Sequence, residues 1–328
     1  MSLGVRTFSR FIGRRIMFAV PTIFALITAV FLMVHSAPGD PISFITGDAD
    51  MGDEQLAQLR VDYGLDKPLT TQYLIYVGKM FKGDLGSSYR YREPVLDLIL
   101  DRVPATLTLM VPALAIFISL GIILGTFAAR HPNSTGDLAL TGVALFGWSV
   151  PVFWLGQLLV IIFSLKLGWF PTQGMVNLRA SHAGFDRLLD IAIHLALPAM
   201  ALGVRFLALS TRMTRTGMMQ VMRLDYMTTA RAKGLPERVV LSRHALPNAL
   251  LPVITILGMN IGTMLTGSVL VEVVFAWPGM GRLLYDGVLA RDYPLITGII
   301  LVTSIVVILI NLITDILYAV VDPRIRYT

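Results

Sequence analysis

The sequence predicts an all-α, polytopic membrane protein with six transmembrane helices and a polar cytoplasmic loop between the fourth and the fifth. Three observations carry that fold class. The chain of 328 residues is 55% hydrophobic and only 15% charged, with a mean hydropathy of +0.71, which is far too apolar for a soluble chain of this length. Its apolar residues fall into runs long enough to cross a hydrocarbon layer of about 30 Å. Its basic residues gather at the ends of those runs, so the formal net charge of +6 reports membrane orientation rather than a nucleic-acid-binding face. The absence of Cys excludes disulfides, thiolate metal sites and cysteine nucleophiles.

Residues 1–34 open with four arginines (Arg6, Arg10, Arg14, Arg15) and no acid, then an apolar run from Ile16 to Val34. That run exceeds the roughly 7–15 residues of a signal-peptide core, and no A-x-A cleavage site follows. It reads as a retained first span with its N-terminus inside. Residues 35–102 turn polar, with eleven acidic and seven basic residues and the turn-prone Gly83-Asp-Leu-Gly-Ser87. This is a sizeable external segment with some helix, such as Asp53 to Tyr63. Residues 103–328 supply the other five spans. Val103 to Ala129 and Leu138 to Leu165 are joined by the short turn from Arg130 to Gly136. Both carry internal Gly or Pro (Pro112, Gly121, Gly125; Gly142, Gly147, Pro151, Gly156), as expected where membrane helices approach closely. Lys166 to Asp190 returns outside, with Trp169 and Phe170 placed as interface anchors. Ile191 to Leu209 is the fourth span, interrupted by Pro198. Leu250 to Val271 is the fifth, Glu272 to Tyr293 an external loop, and Leu295 to Val320 the sixth. Asp322-Pro-Arg-Ile-Arg326 closes the chain inside. The inside segments hold 14 Lys and Arg against five in the two short outside loops, a bias that places both ends in the cytoplasm.

The polar loop at 210–247 is the most informative stretch. Across Ser210 to His244 it holds seven basic residues and two acidic ones, Asp225 and Glu237. Asp225 is expected to cap a short helix running through Lys233, because its carboxylate accepts orphan backbone N–H groups and suits the positive end of the helix dipole. Gly234 ends that helix at a left-handed position, and Pro236 suits the first turn of a second helix. Two helices with a bend result. A solvated basic loop touching anionic lipid is the plainer alternative.

At these residues the chain resembles the permease subunits of ABC importers. Gly234, nine residues, then His244-Ala-Leu246-Pro247 is similar to the "EAA" loop of that family: Glu-Ala-Ala, three residues, Gly, nine residues, Ile-x-Leu-Pro. Thr228-Thr229-Ala230 stands at the Glu-Ala-Ala position and His244 at the Ile position. The run Thr229-Ala230-Arg231-Ala232-Lys233-Gly234-Leu235, with Arg243-His244-Ala-Leu246, is similar to the variant of the dipeptide/oligopeptide/nickel branch and its B-type subunit. Ala37-Pro-Gly-Asp-Pro41, Gly64-Leu-Asp-Lys-Pro-Leu69, Gly83-Asp-Leu-Gly86 and Trp277-Pro-Gly-Met-Gly281 extend the resemblance over nearly the whole chain.

The resemblance implies a coupling helix that docks on an ATPase subunit, carried by Asp225, Tyr226, Thr229, Ala230, Arg231, Ala232, Lys233, Gly234, Leu235, Arg243, His244, Leu246 and Pro247. It implies a second homologous permease, two ABC ATPase chains holding ATP and Mg, an extracytoplasmic binding protein, and a bacterial inner membrane. The cargo it implies is di- or oligopeptides, with nickel chelates or glutathione as alternatives.

The remaining motifs are negative. No G-x-x-x-x-G-K-[ST] occurs, so this chain binds no ATP in that way and is expected to carry no cofactor of its own and no catalytic residues. Gly279-Met-Gly281 lacks a third Gly. The histidines (His35, His131, His182, His194, His244) show no i, i+4 spacing, so no metal site is expected. Arg205, Glu272, Asn260, Asn311 and Asp315 lie in or beside spans, where polar groups are costly. Snorkelling or mutual pairing is expected of Arg205 and Asp315. Glu272, Asn260 and Asn311 are candidates for a substrate path, Glu272 by meeting a peptide amine at the outer end of the fifth span. A passive channel needs no ATPase-binding loop. An intramembrane hydrolase needs a partner for Ser149 or Ser268, and none stands at an arguable spacing.

Overall fold

The computed structural model describes residues 2–36, 53–62, 66–179 and 183–321, and among them every regular element is a helix. The chain divides into two compact units, Met1–Pro104 with Arg282–Ile308, and Ala105–Gly281 with Leu309–Thr328.

In the first unit α1 (Ser2–Ser36) meets α3 (Leu69–Phe81) through a hydrogen bond of 2.7 Å between the Thr28 and Tyr73 hydroxyls and an edge-on contact of Phe31 with Tyr73. The short α2 (Asp53–Asp62) precedes α3; α3 itself carries no distinct sequence signal. The link from α3 into α4 (Val95–Arg130) is fastened by Asp292, which is fully buried. Its carboxylate accepts from the Ser88 hydroxyl at 2.5 Å and the Arg90 amide at 3.1 Å. It also accepts from the Leu295 amide in the first turn of the last helix, and so caps that helix.

In the second unit α5 (Thr135–Ser149) and α6 (Val152–Leu159), which runs on as a π turn to Lys166, pack with α7 (Gly184–Val221). The loop follows: α8 (Asp225–Ala232), the single turn α9 (Glu237–Val239) and a π turn Val240–Ala245 that leads directly into α10 (Leu246–Val274). The last described elements are α11 (Met280–Leu289), mostly in the first unit, and α12 (Tyr293–Val321), whose residues are divided between the two units. Small residues set the closest approaches. A Cβ at Gly121 of α4 would overlap Ser210 of α7, and one at Gly125 would meet the Thr211 carbonyl. Gly142, by contrast, faces open space.

Several expectations are corrected. Leu138 to Leu165 is not one straight span: α5 and the α6 segment meet at 106°. Pro151 is the cause, because a residue before proline is pushed out of the helical region, and Val150 is extended with ψ 128°. Pro198 does not interrupt its helix; α7 runs unbroken through it for 38 residues with Pro198 buried, and proline is tolerated in a membrane helix where the surroundings can satisfy the freed carbonyl. The helix that carries the second span begins at Val95, before the apolar run expected from Val103, and its first turns hold the polar Asp97, Asp101 and Arg102. The loop expected after the fifth span contains α11.

Among the described residues, four helices are long and apolar enough to cross a membrane, five when the bent pair counts as one span, and Met17–Met33 is a shorter apolar stretch. The expectations for Ala37 to Pro41, Gly64, His182, Asp322 to Arg326 and the Asp315 side chain lie outside the described residues.

Candidate functional site

The loop between α7 and α10 is built on an apolar underside. Met227 and Ala230 of α8, three residues apart and so on one helix face, are buried with Val240, Leu241 and Ala245 of the π turn, against Ala129, Met218 and Ala249 from the ends of α4, α7 and α10. That face ties α8 to three helix ends. Its other face is open to solvent: Asp225, Tyr226, Thr229, Arg231, Ala232, Lys233, Gly234, Leu235 and Arg243 are all exposed. Ala230 is the loop candidate that turns wholly inward, while His244 and Leu246 are half-buried and Pro247 is exposed.

The local geometry follows the sequence with small shifts. Asp225 is the first helical residue and Leu224 holds the cap position, with no side-chain cap, so Asp225 acts through the dipole alone. Gly234 has φ +74°. A Cβ there would touch nothing within 4 Å, so the backbone conformation and not crowding calls for glycine. Pro236 is the cap of α9 rather than a member of its first turn. Arg231 and Glu237 clasp the bend from either side of Gly234, with Nη2 to Oε1 at 3.1 Å and Nε to Oε2 at 3.2 Å. That hydrogen-bonded pairing lowers the Glu237 pKa and raises that of Arg231. Where α10 begins, Asn248 Nδ2 donates to the His244 carbonyl at 2.9 Å and to the Tyr226 hydroxyl at 3.2 Å, which pins α8 to the start of the span.

At the far end of α10 the substrate-path candidate Glu272 is fully buried. Its Oε1 accepts from the Thr106 hydroxyl at 2.9 Å and its Oε2 from the Gly281 amide at 2.7 Å. The Thr106 hydroxyl in turn accepts from the Met280 amide at 2.9 Å. A Cβ on Gly279 would overlap the carboxylate. Trp277, also fully buried, donates its indole N–H to the Ala105 carbonyl at 2.7 Å. The Trp-Pro-Gly-Met-Gly segment is therefore a turn wrapped around a carboxylate. Asn260 lies twelve residues before Glu272 on α10, about 18 Å along the axis, and donates to the Ile256 carbonyl at 2.7 Å. Asn311 is exposed on α12. The three path candidates are not brought into one cluster.

Two constellations join residues whose pairing has no signal in the sequence. Asp137, fully buried at the start of α5, is gripped by Arg215 of α7, Nε to Oδ1 at 2.5 Å and Nη2 to Oδ2 at 2.7 Å. Arg205, expected to snorkel or to pair, instead lies over the Trp148 ring at 4.3 Å, with Arg212 over the same ring at 5.5 Å. Among the described residues no group of three His, Asp or Glu has the arrangement of a metal site.

Comparison with known proteins is consistent along the whole chain. The sequence model of the family described as binding-protein-dependent transport system inner membrane component matches residues 121–327, and that of its N-terminal membrane component matches residues 8–110. The di/tripeptide transport system permease protein DppB of Pseudomonas aeruginosa (strain UCBPP-PA14) is 41% identical over 331 residues, covering 97% of this chain and 98% of the relative. The oligopeptide transport system permease protein AppB of Bacillus subtilis (strain 168) is 41% identical over 318 residues, covering 97% and 99%. Among solved structures, an inward-facing MetNI methionine ABC transporter superposes with a TM-score of 0.52 at 16% identity, over 69% of this chain and 96% of that one.

Proposed function

Because this chain belongs to the family of binding-protein-dependent transport system inner membrane components, we propose that it is the membrane-spanning permease subunit of an ATP-driven importer for di- or oligopeptides. The relatives' names, dipeptide and oligopeptide permeases, favour peptides over nickel chelates or glutathione. In this reading six spans cross a bacterial inner membrane: Met17–Met33 of α1, then α4, the bent α5–α6 pair, α7, α10 and α12, with both termini in the cytoplasm. A second homologous permease completes the path, an extracytoplasmic binding protein delivers the peptide, and two ATPase chains hold ATP and Mg. This subunit performs no chemistry.

The observation that carries the reading is the two-faced loop. An exposed polar helix with a solvent-facing bend, fixed underneath to the ends of α4, α7 and α10, suits a lever: force applied to α8 reaches three spans as rigid-body motion. The decisive measurement is made on the complex extracted from its host membrane. Native mass is expected to give two permeases and two ATPase chains. Gly234→Glu is expected to leave the subunit in the membrane, since its side chain enters open space, while abolishing peptide-driven ATP hydrolysis and uptake. Wild-type uptake by that variant, or a chain that repeatedly leaves the membrane alone, defeats the reading.

A further inference from the structure

The loop and the Glu272 turn account for their own polar groups. The pair of arginines on Trp148 does not, and the position of Arg205 within the fourth span is the reason. The 38 residues of α7 make a rod of about 57 Å. Arg205 lies about 31 Å from its first residue and about 24 Å from its last. A hydrocarbon layer of about 30 Å, set almost anywhere along that rod, encloses Arg205. An arginine at such depth is costly unless it faces the bundle interior or a water-filled cavity. Yet Arg205 and Arg212 are both exposed on this chain, and among the described residues neither meets a carboxylate at ion-pair distance.

The platform beneath them is fixed at two levels. The Asp137–Arg215 grip holds the start of α5 against α7, and Gly147 lets the end of α5 come down on Val204. Trp148 is thus presented to α7 with little freedom, and Arg205 and Arg212, seven residues apart and on one helix stripe, both reach its face. Thr141, Ala144 and Thr211 line the groove beside them. Attraction to the ring favours each cation singly, but two cations over one indole repel each other. An anion received between them removes that cost and gains charge-assisted hydrogen bonds from guanidinium forks suited to a carboxylate. A lipid phosphate at the cytoplasmic headgroup level reaches Arg212, which follows the end of the fourth span, whereas Arg205 lies about one turn inside that end. A peptide crossing the membrane brings a carboxylate to this depth.

We propose that Arg205 and Arg212, held on the face of Trp148, form a site for the C-terminal carboxylate of the peptide in transit. This rests on the peptide-importer reading and names where, in this subunit, the cargo is held.

The test exploits the absence of Cys from this chain, so that Arg205→Cys gives it a single thiol. In the complete importer in its host membrane, Arg205→Cys is expected to lower the maximal rate of dialanine uptake at least about tenfold, the worth of one charge-assisted hydrogen bond, with the half-saturating concentration of loaded binding protein unchanged. Charged methanethiosulfonates are expected to modify the introduced thiol, and saturating dialanine to protect it. The 2-aminoethyl reagent, which restores a cation, is expected to restore uptake, and the 2-sulfonatoethyl reagent to leave it low. A purely structural role for Arg205 shows no such dependence on the sign of the added charge.

Three results overturn the proposal: modification by neutral maleimide but not by the charged reagents, which places residue 205 against lipid; wild-type uptake by Arg205→Cys; or equal rescue by both reagents. Arg212→Cys carries the same series should Arg205→Cys fail to accumulate. A wild-type importer that takes up no peptide defeats the importer reading itself, and is told apart because it fails before any substitution is made.

Discussion

The two ends of α10 solve opposite problems. At its start, the loop from Asp225 to Pro247 buries only apolar groups and a few small residues, and turns its charges outward. At its end, the turn from Glu272 to Gly281 buries a carboxylate, an indole N–H and a threonine hydroxyl, each with a partner. The first arrangement is stabilised by area and leaves a polar surface for something else to bind. The second is stabilised by a closed set of hydrogen bonds, and buried polar groups of that kind tolerate very little change. Gly and Pro punctuation looks the same in both sequences and serves unlike ends: at Gly234 it shapes a surface, at Gly279 it makes room for a buried charge.

That contrast predicts the sharpest loss at Gly279. Gly279→Val puts methyl groups where the Glu272 carboxylate lies. Overpacking alone costs about 1–3 kcal/mol, and displacing a buried carboxylate from its donors adds about 1–3 kcal/mol or more. The variant is expected to vanish from the membrane fraction, or to melt far below wild type in detergent. Gly234→Val, with open space at its Cβ, pays only for the left-handed backbone, about 1–2 kcal/mol. Equal losses at the two glycines would break the comparison.

Next in size is the underside of α8. Met227 is fully buried, and Met227→Ala removes a side chain from the apolar cluster that α8 shares with three helix ends, at a cost of about 2–5 kcal/mol for a core cavity of this kind. Because the loop is joined to the bundle by this contact, the expected signature is faster proteolysis between Arg223 and Arg243 at a temperature where α4 and α7 stay protected. Uniform destabilisation would mean the loop is not held through Met227.

These differences also explain what the sequence revealed. The bend of the loop was legible because its determinants are local: Gly234 and Pro236 act within a few residues. The role of Glu272 was not, because Thr106 stands 166 residues away; an acid at the end of a span reads as a group facing water until its donors are known. The Asp137–Arg215 pair spans 78 residues, and Arg215 reads as one more cytoplasmic cation. The break at Pro151 and the continuity through Pro198 show the same limit. Both prolines sit in apolar runs, and no local signal separates the one that follows an extended Val150 from the one buried inside a continuous helix.

The smallest effect belongs to the clasp across Gly234, and it has a definite sign in pH. Glu237 is held below its ordinary pKa of 4.5 by its hydrogen bonds from Arg231. A carboxylate with a lowered folded-state pKa contributes stability above its ordinary value and loses it as acid protonates the folded form. The pair is about 40% exposed on both sides, at 41% and 42%, so solvent screening keeps its worth below about 1 kcal/mol. Glu237→Gln is therefore expected to lower the melting temperature slightly at pH 7, with the gap to wild type closing as the pH falls below about 4.5. It is also expected to shrink in high salt. A gap that persists unchanged in acid would assign the effect of Glu237 to packing or to the first turn of α9 rather than to its charge. The surface of the loop would then owe its shape to Gly234 alone.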